Sequence, residues 1–157
     1  MRLVLQRVSK ASVAVRGETI AAIGPGLLVL CGFGVDDGPD LPENRIWTAM
    51  IEKMLDLRIF SDAKGKMNQS LRDMGFEVLL VSQFTLFADC RKGRRPSFTG
   101  AAAPEVARTL FTRFYHDVEA RLPGRTGRGE FGADMDVSLV NQGPVTLVLD
   151  SGAFSDT

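Results

Sequence analysis

Gly24-Pro25-Gly26, followed by the run "LLVLCGF" (27–33), limits the fold more than any other part of the chain. Gly-Pro-Gly ends whatever element precedes it. The run after it carries no charge and no alternation of polar with apolar side chains. A strand built from it needs cover on both faces, so the chain must supply layers on either side of a sheet.

The remaining segments offer those layers. "RLVLQRV" (2–8), "ASVAV" (11–15) and "TIAAI" (19–23) read as short strands, the last two joined at Arg16-Gly17-Glu18. After a loop over 35–40, Pro42 stands near the start of a helix in which Ile46, Met50 and Met54, and likewise Trp47, Ile51 and Leu55, recur every four residues. That spacing assigns Trp47 and the methionines to the core. "LRIF" (57–60) reads as a short strand, 61–71 as a polar loop, "EVLLVSQFTL" (77–86) as a strand and 87–100 as a basic loop. A second helix runs from about Pro104 to Leu122, with Ala107, Leu110, Phe111, Phe114 and Val118 as its apolar stripe. Two final strands, 135–140 and 145–150, flank "NQGPVT" and read as an antiparallel hairpin, because Pro144 cannot donate to a ladder and Gly143 packs nothing. The predicted class is α/β, with mixed, largely antiparallel strands in layered sheets or a barrel-like arrangement covered by two helices, in a single domain over 1–157.

Nineteen basic residues cancel nineteen acidic ones, so net charge gives no nucleic-acid footprint. Cys31, in an apolar run, and Cys90, in a polar loop, make no disulfide framework, which suggests a reducing compartment. No ligand spacing for a metal and no phosphate-binding or dinucleotide fingerprint occurs, so no metal or cofactor is expected. The apolar start is too short for a signal peptide and no run reaches membrane-spanning length, so the expectation is a cytoplasmic protein without a membrane partner. The single histidine, His116, lies two positions after Phe114 and so faces solvent, away from any triad.

Two constellations carry chemistry. Ser82-Gln83-Phe84-Thr85 ends an apolar strand; alternation would put Ser82 and Phe84 on one face and Gln83 and Thr85 on the other. These side chains either satisfy nearby backbone or line a polar pocket at the strand end. Arg91, Lys92, Arg94 and Arg95, closed by Pro96, Ser97 and Phe98, are either a solvated loop or a phosphate-neutralising one in which Phe98 offers a stacking face. Arg121, Arg125 and Arg128 form a second basic set.

"VSQFTLFAD" with "RKGRRPSF", and "VSLVNQGPVT" near the end, closely resemble the D-aminoacyl-tRNA deacylases. "QRV", "ASV", "GLLVL" (26–30), "RIFSD" and "GKMN" within 58–68, and "FGADM" (131–135) extend the resemblance over nearly the whole chain. It implies a cytoplasmic homodimer that hydrolyses the ester joining a D-amino acid to the 3′ end of tRNA, with active sites at the subunit interface. Ser82, Gln83, Phe84 and Thr85 would line the pocket for the terminal adenosine and the ester. Gly143 and Pro144, joined by a cis bond, would enter the partner subunit's pocket and turn their carbonyls toward the substrate's α-carbon. Arg7, Asn141, Val145 and Thr146 would support that motif. Phe131, Gly132, Ala133 and Met135 would stand near the same pocket, and the 91–98 loop near the tRNA. Such a filter excludes an L side chain instead of reading its identity, so glycine mischarged on alanine tRNA would pass. Thr85, then Ser82, is the available hydroxyl, but neither has an evident base. The alternative favoured is a positioned water, with backbone N–H groups near Phe84 and Thr85 holding the oxyanion and the tRNA 2′-OH assisting. The chain departs from the family at Gln142, where an acidic residue is common, and in "RTGRGEFGADM". A non-catalytic tRNA-binding module, or a related deacylase with a trans Gly-Pro and relaxed chirality, remain the other readings.

Overall fold

The structure is a computed structural model and describes residues 1–154. Its strands are β1 (Arg2–Val15), β2 (Glu18–Ile23), β3 (Gly26–Gly32), β4 (Phe60–Ser61), β5 (Met67–Gln69), β6 (Glu77–Ser82), β7 (Thr126–Arg128) and β8 (Met135–Asp150). The helices are α1 (Arg45–Asp56), the single turn α2 (Leu71–Met74) and α3 (Pro104–Glu119). The apolar run becomes β3, at the middle of a six-stranded sheet ordered β2-β1-β3-β6-β7, with β8 on the other side of β1. β3–β6 and β6–β7 are parallel; the other pairings in this sheet are antiparallel.

Both faces of β3 and β6 are covered, by two separate cores. Leu27, Val29 and Cys31 with Val78 and Leu80 face α1 and α3, which contribute Trp47, Met50, Ile51, Met54, Leu55, Leu110, Phe111, Phe114 and Val118. Burial pushes the Cys31 thiol far above its ordinary pKa, leaving it a neutral packing group. Trp47 Nε1 donates to Asp117 Oδ2 at 2.8 Å, so the one polar atom of the indole is satisfied while it ties α1 to α3. On the opposite face Leu28, Leu79 and Val81 meet Val8, Ala11, Val13 and Ile23. The sheet curls around this smaller core until β7 approaches β2. A Cβ at Gly127 would crowd Leu79 Cδ1 of β6 at 3.2 Å and would stand at ordinary contact distance, 3.6 Å, from Ala21 Cβ of β2. The result is the barrel-like arrangement with helices outside.

Several boundaries move. The segments 2–8 and 11–15 are one strand, and "LRIF" contributes only Phe60 to a strand. Pro42 belongs to a separate 3₁₀ turn, Leu41–Glu43, and α1 begins after the Asn44 cap, whose side chain accepts from the Ile46 N–H at 3.0 Å. β6 stops at Ser82 and Phe84–Phe87 forms a 3₁₀ turn, so strand alternation does not apply to Ser82–Thr85. The expected pair of helices is joined by α2, which a Ser70/Asp73 capping box starts and Gly75 ends.

The expected terminal hairpin does not form. β8 is continuous from Met135 to Asp150 and pairs along its length with β1, from Val15↔Met135 to Arg2↔Asp150. "NQGPVT" is a protrusion from this strand: Gln6 pairs with Thr146 and Val8 with Asn141, so residues 142–145 stand opposite Arg7 alone. A second irregularity, at Ser9, follows on β1 between Val8 and Lys10. Together they let one strand pair serve both cores. Leu3, Leu5, Val145, Leu147 and Leu149 face the helical core, whereas Ala11, Val13, Met135, Val137 and Leu139 face the smaller one. All ten are odd-numbered, so uninterrupted alternation would have kept them on one face. Among the described residues no helix is long and apolar enough to cross a membrane.

Candidate active site

The parallel strand β6 carries Ser82 to the edge of the smaller core, where the chain breaks into the 3₁₀ turn. Gln83 N–H donates back to the Cys31 carbonyl at 2.7 Å, which fixes the turn to β3. The Phe84 and Thr85 N–H groups have no acceptor among the described residues. The first donors of a helical turn are free in this way, and they form a ready site for a developing negative charge.

Beside this turn lies a cleft of about 480 Å³. Ser82, Gln83 and Phe84 line one part; Phe131, Gly132, Ala133, Asp134 and Met135 line another. Two sequence blocks about 50 residues apart thus meet. Val81, Val137 and the start of α3 (Pro104, Ala107) complete the lining with Ala102 and were not anticipated. Their only sequence signal is adjacency to the blocks or to a helix start.

Thr85 is exposed and is not among the lining residues. Its Oγ1 accepts from Gln83 Nε2 at 2.6 Å. An amide donor withdraws electron density from the hydroxyl oxygen and cannot take its proton, so it leaves the hydroxyl unactivated. His116 is exposed on α3, and among the described residues no group of three His, Cys, Asp or Glu could hold a metal ion.

The basic loop is pinched at its base by Asp89 and Ser97, whose backbones exchange hydrogen bonds of 2.7 and 2.9 Å. Phe98 packs edge-on against Phe84, ring centroids 5.0 Å apart, which brings the loop to the mouth of the cleft. Lys92, Arg94, Arg95, Pro96 and Ser97 are exposed and do not line it. Arg91 is committed elsewhere, gripping Asp89 through Nε at 2.9 Å and Nη2 at 2.7 Å and holding that carboxyl far below its ordinary pKa. In the second basic set, Arg121 is likewise withdrawn, to Glu52 at 2.6 Å and the Asp117 carbonyl at 2.7 Å.

The protrusion from β8 is closed at its base by the two polar residues that flank it. Asn141 Oδ1 accepts from the Val145 N–H and Asn141 Nδ2 donates to Thr146 Oγ1, both at 2.9 Å. Arg7 lies beneath, donating from Nε to the Gln142 carbonyl at 2.9 Å and from Nη1 to the Ile59 carbonyl at 2.6 Å. Gly143 has φ +132°, a conformation that favours glycine, and a Cβ there would stand 2.8 Å from Arg7 Nη2 and so press on the guanidinium that holds Gln142. The Gly143–Pro144 bond is cis. Gln142, Gly143 and Pro144 are all exposed and line no part of their own chain's cleft.

The family model described as D-Tyr-tRNA(Tyr) deacylase matches residues 4–150. A D-aminoacyl-tRNA deacylase of Nitratidesulfovibrio vulgaris is 63% identical over 150 residues, covering 96% of this chain and 93% of that one. The enzyme of the same name in Solidesulfovibrio magneticus is 60% identical over 151 residues, covering 96% of each. Among solved structures, one titled c-Myc DNA Unwinding Element Binding Protein superposes with a TM-score of 0.87 at 39% identity, covering 96% of this chain and 98% of that one. A probable eukaryotic D-amino acid tRNA deacylase shares the fold with a TM-score of 0.77 at 22% identity, covering 94% and 97%.

Proposed function

The chain belongs to the D-Tyr-tRNA(Tyr) deacylase family and is a D-aminoacyl-tRNA deacylase, a hydrolase of aminoacyl-tRNA esters; on that premise we propose that the cleft between Ser82–Phe84 and Phe131–Met135 holds the 3′-terminal adenosine with its D-aminoacyl ester. The carrying observation is the pair of unengaged N–H groups at Phe84 and Thr85 beside that cleft.

Water attacks the ester carbonyl, the two N–H groups hold the oxyanion, and collapse breaks the bond from the carbonyl carbon to the ribose 3′-oxygen. The vicinal 2′-OH of the substrate assists proton transfer to that leaving oxygen. Thr85 helps shape the turn and does not attack, because its hydroxyl has an amide donor and no base.

Chirality is read by the protrusion of a second subunit. Gly143 and Pro144 reach no part of their own cleft, and the 60%-exposed Val148 leaves apolar surface on β8 uncovered, which suits a homodimer. The Gly143 and Pro144 carbonyls would meet the substrate's α-ammonium and α-carbon, leaving no room for an L side chain; glycine on alanine tRNA would pass. Exposed Lys92, Arg94 and Arg95 would approach tRNA phosphates, and the reaction would take place in the cytoplasm. The test is ester loss from D-tyrosyl-tRNA and L-tyrosyl-tRNA. Fast loss from the D form alone is expected; equal rates defeat the chirality filter, and no loss from either defeats the deacylase reading.

A further inference from the structure

A groove of about 380 Å³ adjoins the cleft along Phe131, which lines both. Arg108 of α3 and Arg128 of β7 line it. The Arg108 guanidinium lies 4.8 Å above the Phe131 ring and that of Arg128 lies 4.4 Å above the Tyr115 ring. Both arginines are exposed, and neither has an ion-pair or hydrogen-bond partner among the described residues. Arg72, Arg91, Arg113 and Arg121 are all occupied by carboxylates. A guanidinium laid on an aromatic face is oriented by the ring and keeps its N–H edges for another acceptor. Glu130 is the single carboxylate among the groove's lining residues, so positive charge prevails there.

We propose that this groove binds the phosphodiester backbone of the nucleotides that precede the terminal adenosine, Arg108 taking the phosphate next to the cleft and Arg128 a following one. The inference rests on the deacylase reading, which puts the adenosine in the cleft. The order follows from the rings: Phe131, beneath Arg108, lines the cleft itself, whereas Tyr115, beneath Arg128, does not. The 91–95 loop carries more charge but has no ring under Lys92, Arg94 or Arg95 to orient them, so it adds attraction without register.

The test uses the full-length double variant Arg108→Gln/Arg128→Gln and two substrates, D-tyrosyl-tRNA and D-tyrosyl-adenosine, which has no phosphate. Hydrolysis of the tRNA ester is expected to fall while that of the adenosine ester stays at the wild-type rate. Binding of uncharged tRNA, measured against salt, should lose about 1.4 from its log–log slope, roughly 0.7 for each single-strand phosphate contact. Between about 50 and 200 mM salt that is about a sevenfold smaller loss of affinity. The variant Arg108→Lys/Arg128→Lys, which keeps the charges, should restore the slope. Equal loss on both substrates, no loss on either, or an unchanged slope overturns the proposal. If the wild-type protein hydrolyses neither substrate, the deacylase reading falls, and the slope on uncharged tRNA still decides the groove.

Discussion

Replacing Arg7 by methionine asks whether the protrusion works only when held by the strand opposite it. Methionine preserves much of the stem and removes the guanidinium, and with it the bonds to the Gln142 carbonyl (2.9 Å) and the Ile59 carbonyl (2.6 Å). A hydrogen bond from a charged donor contributes about 1.5–3 kcal/mol. The Gln142 bond is exposed and the Ile59 bond half-buried, so the low end applies and the pair contributes about 2–3 kcal/mol. If that loss falls wholly on the working position of residues 142–145, kcat/KM for D-tyrosyl-tRNA drops by about 30- to 150-fold. The ratio of D to L rates should narrow as well, because a loosened filter excludes less. The Asn141 bonds to Val145 and Thr146 remain, so the strand pairing should hold and Tm should fall by less than the roughly 5–10 °C that the same energy would cost if coupled to global unfolding. The assay is release of labelled tyrosine from each tRNA, with thermal unfolding alongside. A variant within about twofold of wild type on both substrates would refute the reasoning. So would a rate loss matched by the full fall in Tm, since Arg7 would then support the sheet and not the protrusion.

Thr85→Ala should retain most of its activity on D-tyrosyl-tRNA; a rate at background would make the threonine the nucleophile. Gly143→Ala should lose activity with the monomer still folded, because φ +132° and a 2.8 Å approach to Arg7 Nη2 both oppose a Cβ; full activity would mean the protrusion adapts freely. The hydrogen bond from Arg121, ahead of that from Arg72, holds the Glu52 carboxyl below its ordinary pKa despite some burial. A depressed folded pKa gives stability that is present above the unfolded pKa and lost as pH falls through the folded one. Glu52→Gln should therefore melt below wild type near neutral pH and converge with it in acid; a gap that stays constant with pH would exclude this origin.

β3 and the two long helices were legible because their signals are local: an apolar run without alternation, and four-residue periods through Trp47 and Phe114. The cleft was legible in part, the Ser82 block as the polar end of an apolar strand and the Phe131 block only through the family resemblance, but their meeting depends on how β6 and β8 lie in space. β8 was misread because Gly-Pro marks a hairpin turn and a protrusion equally well, and only β1, some 130 positions away, distinguishes them. The turn at 84–87 was hidden by Phe84 and Leu86, which continue the apolar spacing of the strand. Arg108 gave no signal, being one charged position on the outer side of an amphipathic helix, and Arg121 is equivalent to Arg128 in the sequence, distinguished only by its pairing with Glu52 in the fold.

The protrusion also acts as a buffer for chain length. Asn141 and Thr146 are each fixed by pairing to β1, and their side chains close the gap between them. A residue inserted between Gly143 and Pro144 would lengthen the projecting tip and leave both flanking registers where they are, with Gln142 still on Arg7 and Val145 still on the helical core. The strand pairing does not measure that tip. Its length is free to answer to whatever the tip must reach.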